Sequence, residues 1–298
     1  MDIARDGELG RGHGLSARTR ASRPTEAEKP GDKFQWDAEE YARNSAAQLG
    51  WARELIEKLA LEGHESVLDI GCGDGKVSAE LARRVPRGKV IGVDSSADMI
   101  AKARSAFPAT ANLSFELKDA RDLGFESRFD VVFSNATLHW VKDHRAVLRS
   151  TSRSLKRRGR LLFQLGGRGN GEEIFAVARV MIESAAWREF FGDFEFPWSF
   201  HGPEEYGAWC AEAGLTLRRA ELLPKDMVQK GIEGLAGWIR TTWMPYTARI
   251  PEKRREAFIH EAADRYSSLH PGNEQGDISV RMVRLEIEAE SAQGHVRE

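Results

Sequence analysis

The sequence has few cysteines and no long apolar run, which argues against several large classes of protein. It contains only two cysteines, Cys72 and Cys210, in 298 residues, and their spacing does not suit a metal, so we expect no metal site and a reducing, cytoplasmic compartment. It has no run of about eighteen apolar residues and no apolar core near its N-terminus. We therefore expect neither a membrane association nor secretion.

The sequence also lacks an excess of charge of one sign. Its 44 lysines and arginines nearly balance 46 aspartates and glutamates, which leaves a formal net charge of −2. Such a chain has no broad electrostatic attraction for nucleic acid or anionic lipid. A small molecule is therefore the expected partner, and nothing in the composition indicates an oligomeric state.

Apolar residues are scarce at the start of the chain. Residues 1–32 mix Gly, Arg, Ser, Pro and acids, with too few apolar side chains to offset the entropy lost on ordering, so this tail is predicted to be disordered. Residues 33–298 are predicted to form a single domain. We divide it into an N-terminal helical cap at 33–62, a ligand-binding core at 63–168, and a substrate cap with the final strands at 169–298.

The core shows strands that alternate with helices. The strand segments are 66–70, 89–94, 113–120, 129–135 and 159–166, and the helical segments between them are 76–85, 97–107 and 144–155. Runs of Val, Ile and Leu alternating with helices are typical of a parallel sheet that is covered on both faces. The fold class predicted is α/β, a Rossmann-like, doubly wound, mostly parallel sheet of seven strands.

The pattern changes in the second half of the chain. Helices are predicted at 172–187, 202–215, 232–243 and 251–269, which we interpret as helical cap insertions. Two alternating segments, 216–229 and 277–290, are predicted to be antiparallel neighbours at one sheet edge. The alternation of apolar and charged residues in the second segment suits a half-exposed strand.

A glycine-rich turn, "DIGCGDG" at Asp69 to Gly75, follows the first predicted strand. In an open parallel sheet this first turn usually contacts the ligand. A dinucleotide fingerprint would place its third glycine one residue later than Gly75. Carboxylates would repel a pyrophosphate, but they suit an ammonium or sulfonium group. The turn therefore favours a cationic ligand over a nicotinamide dinucleotide.

At this point the sequence resembles the class I S-adenosylmethionine (SAM)-dependent methyltransferases, whose first motif is acid-x-Gly-x-Gly-x-Gly. "VIGVDSSADMI", "FELKDARDL" and "FDVVFSNATLHWV" match later motifs in order and spacing. The resemblance implies SAM as the cofactor, with Asp94 on the ribose and Asp119 at the adenine. The implied cofactor-binding residues are Asp69, Gly71, Cys72, Gly73, Gly75, Asp94, Ser95, Met99, Asp119, Ala120 and Asn135. We interpret Cys72 as a packing residue and not as a nucleophile.

Transfer of a methyl group requires an aligned acceptor atom, and a base is needed only for some acceptors. A hydroxyl or amine must lose a proton, whereas a carboxylate need not. His139 is the candidate base because imidazole titrates near neutral pH. The alternative is that His139 only packs or forms local hydrogen bonds. Trp140 is predicted to form part of the pocket wall.

Within the family, several short segments are similar to the trans-aconitate methyltransferase group, which esterifies small carboxylic acids. The resemblance predicts an O-methyltransferase of a carboxylate, with Arg168 suited to bind the carboxylate through two hydrogen bonds. The candidate substrate-binding residues are Trp36, Tyr41, Trp140, Gln164, Arg168, Trp198, Trp243 and Tyr246. Four alternatives remain at this stage: an amine or hydroxyl acceptor, a carrier-bound acyl group, an NAD-dependent oxidoreductase, and a silent SAM-binding module.

Overall fold

The computed structural model describes residues 46–292, all of which belong to one unit of the chain, Phe34–Glu298. The predicted disordered tail at 1–32, and Trp36 and Tyr41, lie outside the described residues. The proposed start of the domain at residue 33 and its divisions near 62 and 168 stay predictions. None of the helices described is long and apolar enough to cross a bilayer.

A seven-stranded sheet in the order β3-β2-β1-β4-β5-β9-β6 organises the fold. Strands β1 to β5 are parallel, and β9 runs antiparallel to both of its neighbours, β5 and β6. The sheet strands are β1 (Ser66–Ile70), β2 (Lys89–Asp94), β3 (Leu113–Leu117), β4 (Phe129–Asn135), β5 (Leu155–Gly166), β6 (Leu215–Pro224) and β9 (Val283–Ser291). The predicted doubly wound, mostly parallel sheet is confirmed.

Helices cover both faces of the sheet, as the continuous apolar strands require. They are α1 (Ala46–Lys58), α2 (Lys76–Arg84), α3 (Ala97–Ala106), α4 (His144–Ser154) and α6 (Pro203–Glu212). Leu55 of α1 and Leu81 of α2 pack with Val67 and Phe133 on one face, whereas Val147 of α4 packs on the other. The two faces of the sheet therefore carry two separate apolar cores.

The second half of the chain adds a cap with its own apolar core. The cap consists of helices α5 (Glu172–Glu183), α7 (Gly231–Thr242), α8 (Met244–Thr247) and α9 (Glu252–Leu269), and of a ribbon of strands β7 (Met227–Gln229) and β8 (Ile278–Val280). Its core is rich in aromatic rings, among them Phe175, Trp198 and Trp243. The predicted helical insertions are therefore present.

The two late alternating segments differ from their prediction in one respect. Residues 216–229 form β6 and β7, and residues 277–290 form β8 and β9, so each segment is broken into two strands. β9 and β6 are antiparallel neighbours at the sheet edge, as predicted, while β7 and β8 pair in a separate ribbon. The break occurs because Met227, Ile278 and Val280 bury their side chains in the cap core.

Strand β9 is not half-exposed, so that part of the prediction is wrong. Arg284 and Glu286 are 5% and 0% exposed, because β9 lies inside the sheet under α1. Glu286 accepts hydrogen bonds from Lys58 at 2.7 Å and from Gln164 at 3.1 Å, and it pairs with Arg219. Buried charges are tolerated when they are paired in this way.

Candidate active site

The glycine turn lies at the carboxyl ends of β1 and β2, between β1 and α2. The amides of Gly71 and Cys72 donate to the carbonyl of Val93 at 2.7 and 3.0 Å. The amide of Gly73 donates to the Oδ2 atom of Asp94 at 3.0 Å. These bonds fix the turn against the neighbouring strand and bring the acid at the end of β2 next to the glycines.

Gly71 and Gly73 of this turn lie in different surroundings. Gly71 has a φ of +76°, and a Cβ atom there would lie 2.0 Å from Cγ2 of Thr137, so no larger residue fits. Gly73 has a φ of +53°, and a Cβ atom there would meet nothing within 4 Å. The turn is therefore packed on the Gly71 side and open on the Gly73 side, where a ligand can approach the backbone.

Asp69 lies beneath the turn and is only 2% exposed. Its Oδ2 atom accepts a hydrogen bond of 2.6 Å from the hydroxyl of Ser78 on α2. Burial, together with a smaller contribution from the charge of Asp94, raises the pKa of Asp69 to about 7. An acid with a raised pKa gains from a nearby cation, because the cation stabilises the ionised form. This environment fits a ligand that carries an ammonium or sulfonium group.

Asp69 gives a prediction about stability and pH. Its pKa is about 7 in the folded protein and about 3.8 when unfolded, so folding favours the protonated form. The contribution is therefore fully present below pH 4 and is lost as the pH rises through 7. We expect the stability of the wild type, relative to the neutral variant Asp69→Asn, to fall by roughly 1 kcal/mol per pH unit between pH 5 and 7. Urea unfolding from pH 5 to 8 measures this, and parallel curves would contradict it.

Asp94 ends β2 and faces the open side of the turn. Besides the bond from Gly73, it accepts one of 2.9 Å from the amide of Ser96, and burial raises its pKa. An ionised carboxylate has about four acceptor sites, so acceptor capacity remains for a hydroxyl donor of a ligand. Ser95 is exposed beside it, and Met99 is buried in the first turn of α3. This arrangement is compatible with a ribose at Asp94.

Asp119 and Ala120 follow β3 at the same edge of the sheet. The guanidinium of Arg121 donates to both carboxylate oxygens of Asp119 at 3.0 Å and lowers the pKa of this acid. Asp119 is therefore ionised and remains partly exposed, with a side-chain exposure of 40%. Ala120 packs at the margin of the core formed on the α4 face of the sheet.

Cys72 packs inside the turn. It is 5% exposed and belongs to a small cluster with Ile100, Ala103 and Phe115. Burial raises the pKa of its thiol far above neutral pH, so the nucleophilic thiolate does not form. The environment agrees with the interpretation of Cys72 as a packing residue.

The end of β4 connects the turn to the acceptor side of the site. Asn135 is the last residue of β4 and pairs in register with Gln164 of β5. The hydroxyl of Thr137 lies 3.0 Å from the carbonyl of Gly71 and joins β4 to the glycine turn. Ala136 lies between Asn135 and Thr137 in the chain. Its φ of +56° turns the chain sharply away from the sheet.

A cavity of about 70 Å³ lies beyond the turn at Ala136, under the cap. Its wall combines residues that follow β4 with residues of the cap and of β9. The lining residues are Ala136, His139, Trp140, Asn170, Phe175, Trp198, Phe200, Met227, Trp238, Thr242, Trp243, Met282 and Arg284. A largely apolar cavity with a few polar groups is typical of a small-molecule site.

His139 is part of the cavity wall. The amide of Gly166 donates to its Nδ1 atom at 3.3 Å, which assigns the proton of the neutral ring to Nε2. Burial, together with a smaller contribution from the nearby charge of Arg284, lowers the pKa of His139 to about 3. The ring is thus neutral at physiological pH, and its available nitrogen is a hydrogen-bond donor.

Arg284 is a lining residue that the sequence prediction missed. It belongs to β9, and its guanidinium lies over the ring of Trp51 of α1, 4.5 Å from the ring centroid. The sequence predicts a half-exposed strand for its segment, which gives no indication that this charge is buried. The sequence contains one signal that could have identified it: Arg284 is on the same side of the alternating strand as Glu286 and opposite to the apolar Leu285.

The structure brings together only some of the predicted substrate residues. Trp140, Trp198, Trp243 and His139 line the cavity, whereas Tyr246 is fully buried in the neighbouring cap core. Gln164 is bonded to Glu286 below the site. Arg168 is 53% exposed and pairs with Glu205 at 2.7 Å, outside the cavity wall.

Within residues 46–292, no cluster of three or more His, Cys, Asp or Glu side chains could hold a metal ion.

The sheet order, the open glycine turn and the acid at the end of β2 define a Rossmann-like enzyme with a site for a nucleoside cofactor. Comparison with known proteins gives the family. A model of the methyltransferase domain matches residues 67–159. An uncharacterized methyltransferase of Schizosaccharomyces pombe is 33% identical over 204 residues, which span 64% of this chain and 77% of that protein. This chain belongs to the class I SAM-dependent methyltransferases, and it is an enzyme that uses SAM.

Two further comparisons concern the subgroup and the fold. The trans-aconitate 2-methyltransferase of Escherichia coli (strain 55989 / EAEC) is 28% identical over 255 residues, which cover 85% of this chain and 97% of that enzyme. A crystal structure of a candidate methyltransferase from Bacillus halodurans superposes with a TM-score of 0.56 at 18% identity, over 81% of this chain and 98% of that one. The second similarity concerns the fold alone.

Proposed function

We propose that this enzyme transfers the methyl group of SAM to the carboxylate of a small molecule and forms a methyl ester. The observation that carries the proposal is the buried guanidinium of Arg284 in the cavity wall. A guanidinium binds a carboxylate through two parallel hydrogen bonds, and the interaction is strong where water is excluded. A cation in this position disfavours a protonated amine as the acceptor.

The state of His139 supports the same acceptor. An ionised carboxylate needs no base, and His139, with a pKa of about 3 and its Nδ1 atom engaged by Gly166, is not suited to be one. Its Nε2 proton is available to the carboxylate as a hydrogen-bond donor. A hydroxyl or ammonium acceptor would have to lose a proton, and the described wall of the cavity offers no other titratable base.

In the proposed mechanism the protein mainly positions the reactants. SAM supplies an electrophilic methyl group on a sulfonium centre. Gly73, on the open side of the turn, would let the backbone approach SAM closely, and Asp94 would accept hydrogen bonds from its ribose. Asp69 contributes negative charge below the turn. The remaining predicted cofactor contacts, at Met99, Asp119, Ala120 and Asn135, keep the roles implied by the family resemblance.

On the acceptor side, Arg284 and His139 hold the carboxylate, and Trp140 and Trp198 exclude water from it. One carboxylate oxygen would form a bond to the methyl carbon that SAM supplies, as the bond between that carbon and sulfur breaks. The products are a methyl ester and S-adenosylhomocysteine, and no proton moves. Alignment and desolvation of this kind account for a large part of the rate in such displacements.

The comparisons support this proposal in part. The similar E. coli enzyme is named a trans-aconitate 2-methyltransferase, which acts on a carboxylic acid. A carrier-bound acyl acceptor is less favoured, because the basic run at 153–160 begins at the amino end of β5, at the opposite edge of the sheet. The two buried free cysteines fit a reducing compartment, so a cytoplasmic location is part of the proposal.

The test is a transfer assay with SAM labelled in its methyl group. The purified enzyme is incubated separately with panels of carboxylic acids, phenols and primary amines. We expect label in a product that mild alkali hydrolyses to methanol, as an ester requires. Label found only in alkali-stable products from amines or phenols would refute carboxylate methylation.

A further inference from the structure

We propose that the acceptor is a monocarboxylic acid with an apolar body, and not a di- or tricarboxylate. This inference rests on the proposed function and specifies its substrate class. Its basis is the distribution of charge and apolar surface around the cavity. One cation lies on a wall that is otherwise formed mainly by aromatic rings and methionines.

Arg284 is the one charged side chain among the described residues that line the cavity. It can form one two-pronged pair with one carboxylate. A second carboxylate in the same cavity would lose its hydration without gaining a cation. Burial of an unpaired charge is strongly unfavourable, so the described wall selects against acids with several charges.

The neutral polar groups among the described lining residues supply no second positive charge. The Oδ1 atom of Asn170 accepts the amide of Val283 at 3.1 Å. The hydroxyl of Thr242 donates to the carbonyl of Trp238 at 2.7 Å. The bond to Asn170 does not engage its Nδ2 donors, but a neutral donor does not replace a cation as the partner of a buried carboxylate. Arg168 is held outside the cavity by Glu205.

The aromatic part of the wall is held together by ring contacts. Phe175 lies at its centre, with ring centroids 5.0 Å from Trp198 and 5.4 Å from Trp243. Trp140 meets Trp198 edge to face at 5.2 Å. Because each ring is fixed by others, the wall offers a preformed apolar surface. An alkyl or aryl body gains free energy by covering this surface, whereas a charged one does not.

The first test compares acids of equal length on the wild-type enzyme. Hexanoate and adipate both have six carbons but differ by one carboxylate, and phenylacetate and trans-aconitate extend the comparison. We expect kcat/KM to be at least about 30-fold higher for hexanoate than for adipate, corresponding to about 2 kcal/mol for the unpaired second charge. Equal or better turnover of adipate or trans-aconitate would overturn the inference.

The second test adds a cation to the wall. Thr242 is partly exposed and is the last residue of α7, where a positive charge is favourable. We expect Thr242→Arg to shift the hexanoate-to-adipate ratio of kcat/KM by about tenfold toward adipate. The matched variant Thr242→Gln, which is polar but neutral, should leave the ratio within about twofold of wild type. An equal shift in both variants would contradict the charge argument.

The two proposals can fail separately. Methylation of amines or phenols, with no ester from any acid, refutes the proposed function itself. Efficient ester formation on trans-aconitate that depends on Arg284 leaves the proposed function intact and refutes the apolar monocarboxylate. Should Thr242→Arg fail to fold by circular dichroism, the comparison of acids on the wild type still decides the substrate class.

Discussion

Arg284→Met is expected to lower kcat/KM for the carboxylate acceptor by about 30-fold or more. Arg284 is 5% exposed and lines the cavity, and removal of one partner of a buried charge pair costs about 2 kcal/mol or more. Methionine preserves much of the side-chain volume, so the variant mainly removes the charge. The loss should appear in KM at least as much as in kcat, because the group binds the acceptor before transfer.

Three controls separate this role from a general loss of structure. Arg284→Lys keeps the charge without the two-pronged geometry and should recover part of the activity. Arg168→Met removes the arginine that the sequence first suggested; because Arg168 is exposed and paired with Glu205, activity should stay within about twofold of wild type. SAM affinity, measured by calorimetry, should be unchanged in both methionine variants. Loss of activity in Arg168→Met but not in Arg284→Met would contradict this prediction and would assign carboxylate binding to Arg168.

The second large effect is expected from alanine at two glycines of the same turn. Gly71→Ala should destabilise the free protein by about 3 kcal/mol or more, since the new Cβ atom overlaps Thr137 and the backbone φ is +76°. Gly73→Ala should cost only about 1 kcal/mol of backbone strain, because its Cβ atom meets open space. Chemical unfolding without ligand measures both values.

For cofactor binding, we expect the larger effect at Gly73 and not at Gly71. The open space at Gly73 is where we propose that SAM approaches the backbone, so Gly73→Ala should weaken SAM binding by about tenfold or more while the fold persists. Calorimetry with S-adenosylhomocysteine on the folded variant tests this. Wild-type affinity in Gly73→Ala would place the cofactor elsewhere, and wild-type stability in Gly71→Ala would contradict the packing at Thr137.

Much of the cofactor half could be predicted from the sequence because its signals are local. The run 66–70 has apolar residues at Val67, Leu68 and Ile70, and it is followed by glycines and a helical period, which identifies a buried strand, a turn and a helix in order. Asp69 is the next-to-last residue of β1 and Asp94 is the last of β2; because these parallel strands are neighbours in the sheet, the proximity of the two acids follows from topology alone. The predicted positions of these strands and helices agree with the structure to within a few residues.

The acceptor half could not be predicted in the same way because its residues come from distant segments. Arg284 reaches the cavity because β9 inserts between β5 and β6, and the pairing of β9 with β5 joins residues that are more than a hundred positions apart. The alternation of residues in a strand shows which side chains share a face, but not whether that face is covered. The same pattern therefore fits an exposed edge strand and a buried interior one.

The sequence by itself determined the α/β fold, the glycine turn and the cationic cofactor, because backbone conformation and local hydrophobic pattern specify them. Tertiary structure alone decided that Arg284 is buried beside His139 while Arg168 is outside with Glu205. The physical reason is that the effect of a charge depends on its solvation and its partners, which are set by the packing of α1 and the cap over the sheet.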